Sequence, residues 1–232
     1  MDIQGIKKLY RVPIGRLFSP LHKAIIVNSY GRSGSTLLAK SVFSSLTNKR
    51  YGFFYDFLQR SIIQPKWNLG GSHIRKGFIY KSHDYPPEEL FDMNATLVIY
   101  VFSDPVDVVL SLIRIYKRSS NHRWMRRHFK HLRAPYVDDF YNIMYHDTLG
   151  LEKHFDAWLK QKALRVAFVR YEKLWELSTL LTDFLEIDLK LFPYKERKAM
   201  ENVDPGIIQV LAKTYASLRS KVLGCDDFFM VN

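Results

Sequence analysis

The chain has 232 residues, 47% of them hydrophobic and 15% aromatic, which is enough to bury a sizeable core and excludes a disordered composition. Thirty-five Lys and Arg against 23 Asp and Glu give a formal net charge of +12, so the favoured partners are anionic: a nucleotide, a polyanionic glycan, nucleic acid or an anionic membrane. A single cysteine, Cys225, excludes an intrachain disulfide and a cysteine-based metal site, and fits a reducing, cytoplasmic compartment.

Residues 1–23 read as an irregular basic arm, carrying Lys7, Lys8, Arg11, Arg16 and Lys23 but no apolar run of signal-peptide length. No stretch approaches the roughly 18 consecutive apolar residues of a membrane span. With no internal repeat and no convincing linker, one domain over 1–232 is expected, its core motifs lying in 24–175 and a helical region in 176–232.

Ala24–Val27 is a short apolar, β-branched run of the kind found in a buried strand. A loop containing Gly31 and Gly34 follows, and then Leu38, Val42 and Leu46 recur at helical spacing. Strand, glycine loop and helix start in that order make an anion cradle, because inward-turned amides and a helix N-terminus both favour negative charge. Ser33, Ser35 and Thr36 add hydroxyls, and Arg32 adds a forked, permanent charge. The spacing is not G-x-x-x-x-G-K-[ST], so an ordinary nucleoside-triphosphate loop is disfavoured. A plain Ser/Gly turn without a ligand is the weaker reading, since Arg32 amid small polar residues serves no packing need.

Tyr51–Phe57 is aromatic and strand-like at its start, and 58–77 reads as loop, with Pro65, Asn68 and the Gly70-Gly71 pair. Phe78–His83 is expected to be a second strand, closed by Pro86-Pro87. On a strand Lys81 and His83, two apart, point to the same side, which suits an electrostatic stabiliser beside a general base. Thr96–Phe102 is the clearest strand, and Asp104-Pro105 supplies an N-cap and a first helical residue for the helix that follows. Val106, Val109, Leu110, Ile113 and Tyr116 mark the expected buried stripe of that helix, and Ser111 lies off it.

From Arg114 to Arg133 there are eight Lys or Arg and no acid, interleaved with His122, Trp124, His128, Phe129 and His131. This is either a solvated basic helix or a rim that receives an anionic substrate, with Trp124, His128 and Leu132 along one face. Beyond it, 134–147 reads as loop, Leu151–Leu159 as an amphipathic helix and Arg165–Arg170 as a strand. A helical stretch begins at Tyr171, and a last helix spans Ile207 to about Leu223.

Taken in order, these segments resemble the sulfotransferases that use 3′-phosphoadenylyl sulfate (PAPS). Tyr30–Thr36 is similar to that family's loop for the 5′-phosphosulfate, and Lys81-Ser82-His83 to its Lys-Thr-His strand end. Val101–Ser111 resembles the segment that binds the 3′-phosphate, with pattern R-x-P-x-D-x-x-x-S, and Arg170–Leu174 the segment R-Y-E-D-L. Ser103 stands where that pattern has arginine, with Arg114 or Lys117 as the candidate substitutes, and Arg32 stands where a lysine is common. The family's C-terminal Arg-Lys-Gly has no counterpart in place; Arg75-Lys76-Gly77 lies elsewhere.

The resemblance implies a single three-layer α/β/α domain with a central parallel sheet. It also implies in-line transfer of a sulfuryl group from PAPS to a hydroxyl or amine acceptor, leaving 3′,5′-adenosine bisphosphate and needing no metal. His83 would be the base, with Lys81 and Arg32 neutralising charge on the leaving phosphate. Gly31, Arg32, Ser33, Gly34, Ser35 and Thr36 would hold the 5′-phosphate. Ser103 and Ser111 fall at the 3′-phosphate and Tyr171 at the adenine. The acceptor is a small molecule or a carbohydrate, and the basic rim leans toward an acidic one. Two rivals stand beside this reading: a magnesium- and ATP-dependent phosphotransferase, and a non-catalytic module for anionic glycan or nucleic acid. The latter polymer is disfavoured, because no RNA-binding or zinc-finger pattern is present.

Overall fold

The computed structural model describes residues 19, 21–47, 54–70, 74–88, 96–118, 123–135, 139–194 and 203–231. Most of the basic arm, Tyr51 at the start of the aromatic run, Gly71 and His122 lie outside the described residues.

Strand β1 (Ala24–Asn28) is buried throughout and runs into the glycine loop and helix α1 (Ser35–Thr47). Helix α2 (Tyr55–Ile62) leads directly into β2 (Ile63–Lys66), and β3 (Ile79–Ser82) and β4 (Thr96–Phe102) follow. Then come α3 (Pro105–Arg118), α4 (Arg123–His131), a 3₁₀ turn (Phe140–Met144) and α5 (Leu151–Lys160). After β5 (Val166–Arg170) and a 3₁₀ turn (Tyr171–Lys173) lie α6 (Ser178–Leu185), α7 (Pro205–Thr214), α8 (Ala216–Gly224) and β6 (Phe228–Val231).

The strands form one sheet in the order β2-β3-β1-β4-β5-β6, parallel except for the β5–β6 pair. Side chains alternate across it, so each strand feeds two cores. Ile26, Tyr80, Tyr100 and Phe168 pack on one face with residues of α3, α4, α5, α7 and α8. Ile25, Ile79, Ile99 and Val169 pack on the other with α1, α2 and α6. This is the expected three-layer α/β/α arrangement. Among the described residues no helix is long and apolar enough to cross a membrane.

Several local expectations are corrected. The aromatic run Tyr51–Phe57 ends in helix, since α2 buries Leu58 and Ile62 one turn apart, while its expected strand-like start lies outside the described residues. The supposed loop over 58–77 holds β2, where Pro65 pairs with Lys81 on an edge strand that tolerates its missing N–H. The last helix is two, α7 and α8, parted at Tyr215, whose hydroxyl donates to Ile143 O at 2.7 Å. The C-terminal region is also not wholly helical. It ends in β6, antiparallel to β5, with Phe229 stacked on Phe168 at 4.7 Å between ring centroids. Arg170 holds that strand in place: its guanidinium pairs with Asp227 and donates to Val222 O at 2.7 Å and Cys225 O at 2.9 Å.

The topology settles where the chemistry gathers. β1 lies between β3 and β4, both parallel to it, with Val27 opposite Lys81 and Asn28 opposite Tyr100. The glycine loop, the Lys81–His83 end of β3, the start of α3 and the Tyr171 turn after β5 therefore leave the sheet at one edge.

Candidate functional site

Gly31, Arg32 and Gly34 all have positive φ, at 98°, 54° and 82°. The loop so formed is enclosed between two rings. A Cβ on Gly31 would lie 2.2 Å from His128 Cε1, and one on Gly34 would lie 2.1 Å from Tyr171 Cδ2. Both glycines are thus required by conformation and by space. Ser33 and Ser29 brace the turn: Ser33 Oγ donates to Gly31 O at 3.0 Å, and Gly31 N donates to Ser29 Oγ at 3.1 Å. Because α1 starts at Ser35, its first N–H groups have no partner within the helix and face the loop's end.

Above the loop is a cavity of about 960 Å³. Its wall includes Arg32, Gly34, Ser35, Thr36, Lys81, His83, Ser111 and Tyr171, so eight residues singled out from sequence share one space. Arg32 bridges the loop to α3, with Nε donating to Ser111 Oγ at 3.0 Å. Three others stand outside the wall. Gly31 is the turn beneath His128, and Ser33 is spent on the brace. Ser103 is fully buried, and its hydroxyl donates to Glu172 Oε1 at 2.6 Å. Of the two candidate substitutes for the arginine missing at Ser103, Arg114 lines the cavity and Lys117 does not.

His83 is held from both sides. Its Nδ1 lies 2.8 Å from the carbonyl oxygen of Ser29, which can only accept, so Nδ1 carries the proton and Nε2 keeps a lone pair. Lys81 Nζ donates to that Nε2 at 2.8 Å. Burial, then the Lys81 charge, holds the imidazole neutral, its pKa well below the ordinary 6.5. Burial, then the Arg32 charge, lowers Lys81 to about 8. The site therefore combines an uncharged base with an ammonium poised to lose its proton just above neutrality.

Asp84, the residue following His83, is fixed as firmly. Asp84 O accepts from Asn28 Nδ2 at 2.8 Å, His154 Nε2 at 2.9 Å and Trp158 Nε1 at 2.9 Å. Its buried carboxylate accepts from Leu69 N at 2.8 Å and pairs with Arg133 at 3.1 Å. His154 Nδ1 in turn accepts from Tyr100 OH at 2.9 Å.

Sequence reasoning missed other parts of the wall. Lys40 lies one helical turn beyond Thr36, a spacing that could have revealed it. Phe192 and Pro193 close the far side, where Ser41 Oγ accepts from Phe192 N at 3.1 Å. No sequence pattern announced that segment. Among the described residues the wall carries five cations, Arg32, Lys40, Lys81, Arg114 and Arg118, and no carboxylate. Of the basic segment from Arg114 to Arg133, Arg114, Arg118, Trp124 and His128 line this cavity. Among the described residues no group of His, Cys, Asp or Glu is placed to hold a metal ion. Chemically the arrangement can bind a polyanion, withdraw a proton at His83 Nε2 and place positive charge beside it.

Comparison of the chain with protein-family models and with curated proteins finds no match.

Proposed function

We propose that the protein is a sulfotransferase that moves a sulfuryl group from PAPS to a hydroxyl or amine acceptor. The observation that carries this reading is the meeting, in one cavity whose described wall holds no carboxylate, of the glycine loop with a neutral histidine whose Nε2 faces a lysine. A phosphate-loop kinase would lead with a loop lysine and bind its nucleotide through magnesium, and this loop offers Arg32 instead.

The groups fit the donor in kind and in size. The turn of Gly34, the first amides of α1 and the Ser35 and Thr36 hydroxyls receive the 5′-phosphate. Ser111, already bonded to Arg32, and Arg114 one turn on receive the 3′-phosphate. The Tyr171 ring, against Gly34, borders the nucleoside. A cavity of about 960 Å³ has room for an acceptor beside a nucleotide.

In the reaction the S–O bond to the leaving phosphate breaks as the acceptor oxygen bonds to sulfur, and the acceptor proton passes to His83 Nε2. Lys81, which occupies that nitrogen at rest, turns its ammonium to the bridging oxygen, which frees the base as it neutralises the leaving group. Positioning and charge supply the catalysis, because the protein forms no covalent bond.

Calorimetric titration with 3′,5′-adenosine bisphosphate, beside ATP with Mg²⁺, tests the reading. Micromolar binding of the bisphosphate, lost in Arg32→Ala, supports it. Preferential binding of ATP, or no binding of either, overturns it.

A further inference from the structure

We infer that Asn28 is a positioning residue for His83: its side chain clips the end of β1 to the end of β3 and so fixes which imidazole nitrogen keeps its lone pair. The inference rests on the sulfuryl-transfer reading for its effect on rate, and on geometry alone for its effect on the ring.

The last register pair between β1 and β3 is Val27 with Lys81. Beyond it two side chains cross between the strand ends in opposite directions. Asn28 Nδ2 donates from β1 to Asp84 O at 2.8 Å, and His83 Nδ1 donates back to Ser29 O at 2.8 Å. The Asn28 side-chain oxygen accepts from Ser29 N at 2.6 Å. Asn28, Ser29, His83 and Asp84 thus close a ring in which each bond has one possible direction. The carbonyls of Asp84 and Ser29 only accept and Ser29 N only donates, which sets both the Asn28 amide orientation and the His83 ring proton.

Packing does not account for an amide at this position. The rest of β1 is Ala24, Ile25, Ile26 and Val27, and Asn28 is as fully buried as they are. Asn is depleted in strands, and a buried amide is tolerated only when it is paired, so an apolar residue would suit the site better. Asp84 O does not need the bond either. A carbonyl has two lone pairs, and His154 Nε2 and Trp158 Nε1 already donate to it at 2.9 Å each. What Asn28 adds is the tie to Ser29, whose carbonyl takes the His83 ring proton. Asn28 is outside the cavity wall, so it acts through His83 and not on a ligand. Without the tie, Ser29 O can drift from Nδ1 and the proton can pass to Nε2. The ring then has no lone pair facing the cavity, because the tautomer follows the bond made by the other nitrogen.

The test records the nitrogen resonances of the His83 ring in the full chain near neutral pH, assigned by their loss in His83→Ala, with sulfuryl transfer measured alongside. In the parent protein Nδ1 should carry the proton and Nε2 should not. Asn28→Leu, similar in shape but without the amide, should move the ring toward the Nε2-protonated form. It should also lower kcat by up to about 100-fold, the size of a small misplacement of a reacting group, and leave the affinity for 3′,5′-adenosine bisphosphate unchanged. Trp158→Phe removes a different donor from the same carbonyl and should change neither the ring nor kcat. The inference falls if the parent ring carries its proton on Nε2, if Asn28→Leu keeps the parent ring signals, or if Trp158→Phe disturbs them as much. Should Asn28→Leu not fold, as judged by its thermal transition, Asn28→Ala, which adds no bulk, is read in its place, and if neither folds the parent spectrum decides alone. Absence of sulfuryl transfer in the parent would instead overturn the proposed function, and the ring measurements would still test the clip.

Discussion

Lys81 Nζ sits 2.8 Å from His83 Nε2, so the lone pair proposed to act as a base is covered by the ammonium proposed to stabilise the leaving group. In the proposed reaction neither residue acts until the two separate, and an anion that attracts Lys81 would separate them. His83→Ala should lower kcat by about 10²–10⁴-fold, the usual size of a general-base loss. Lys81→Met should lower it while leaving His83 free. Steady-state kinetics with a saturating acceptor would show this, and an unchanged kcat in either variant would remove that residue from the mechanism.

The same pair sets the pH dependence. His83 stays neutral well below 6.5, so activity should persist as pH falls through the ordinary imidazole range. Lys81, at about 8, loses its charge as pH rises through that value, so kcat should fall on the alkaline side. Lys81→Arg should move this alkaline limb upward, because guanidinium does not deprotonate there. A pH–rate profile of the two proteins provides the check, and coincident alkaline limbs would contradict it.

Acid should unfold the protein through its buried imidazoles. Burial, reinforced by neighbouring charge, lowers His128 to about 3 and His131 to about 4, and burial lowers His154 to about 4. These groups bind protons more readily unfolded, so stability is highest above 6.5 and falls as pH drops from 6.5 toward 4. Urea unfolding at pH 7.5 and pH 5 measures this. Equal midpoints would show that the imidazoles are protonated in the native state.

Ser103 and Ser111, which the sequence places on the same phosphate, should behave oppositely. Ser103→Ala removes the 2.6 Å hydrogen bond to the exposed Glu172 and should cost about 0.5–1.5 kcal/mol of stability, with little change in bisphosphate affinity. Ser111→Ala should leave stability nearly unchanged and weaken the bisphosphate several-fold. Denaturant titration and calorimetry on both variants separate the two effects.

Gly34→Ala should abolish bisphosphate binding, because its Cβ would overlap the Tyr171 ring at a φ of 82°. The combined clash and backbone strain should lower stability by about 1–3 kcal/mol or more. Binding and thermal unfolding of the variant measure both.

How much of this was visible in the sequence follows local physics. Thr96–Phe102 was legible to the residue, since a β-branched run buried on both faces has no competing periodicity. The Asp104-Pro105 helix start was legible too, and Asp104 Oδ1 accepts from Val106 N at 2.9 Å as a cap should. β2 and β6 were not legible. Each is four residues long at a sheet edge, one contains Pro65, and β6 depends on Arg170, 57 positions from Asp227 in the chain. At the site, Lys81 and His83 were legible from strand alternation. The burial of Ser103 was not, because its bond to Glu172 joins residues 69 positions apart in the chain. His128 and Trp124 could be noticed as residues, but the direction of α4 is a tertiary fact.

The triple acceptance at Asp84 O has a practical consequence. The indole N–H of Trp158 and the ring N–H of His154 both end on the carbonyl of Asp84, the residue after His83, yet both residues are wholly buried and lie outside the wall of the cavity described. Their protons should exchange slowly and resonate apart from the backbone amides. They act as resident reporters, registering in a magnetic-resonance spectrum any ligand that shifts the His83 backbone, with no label attached and no binding residue altered.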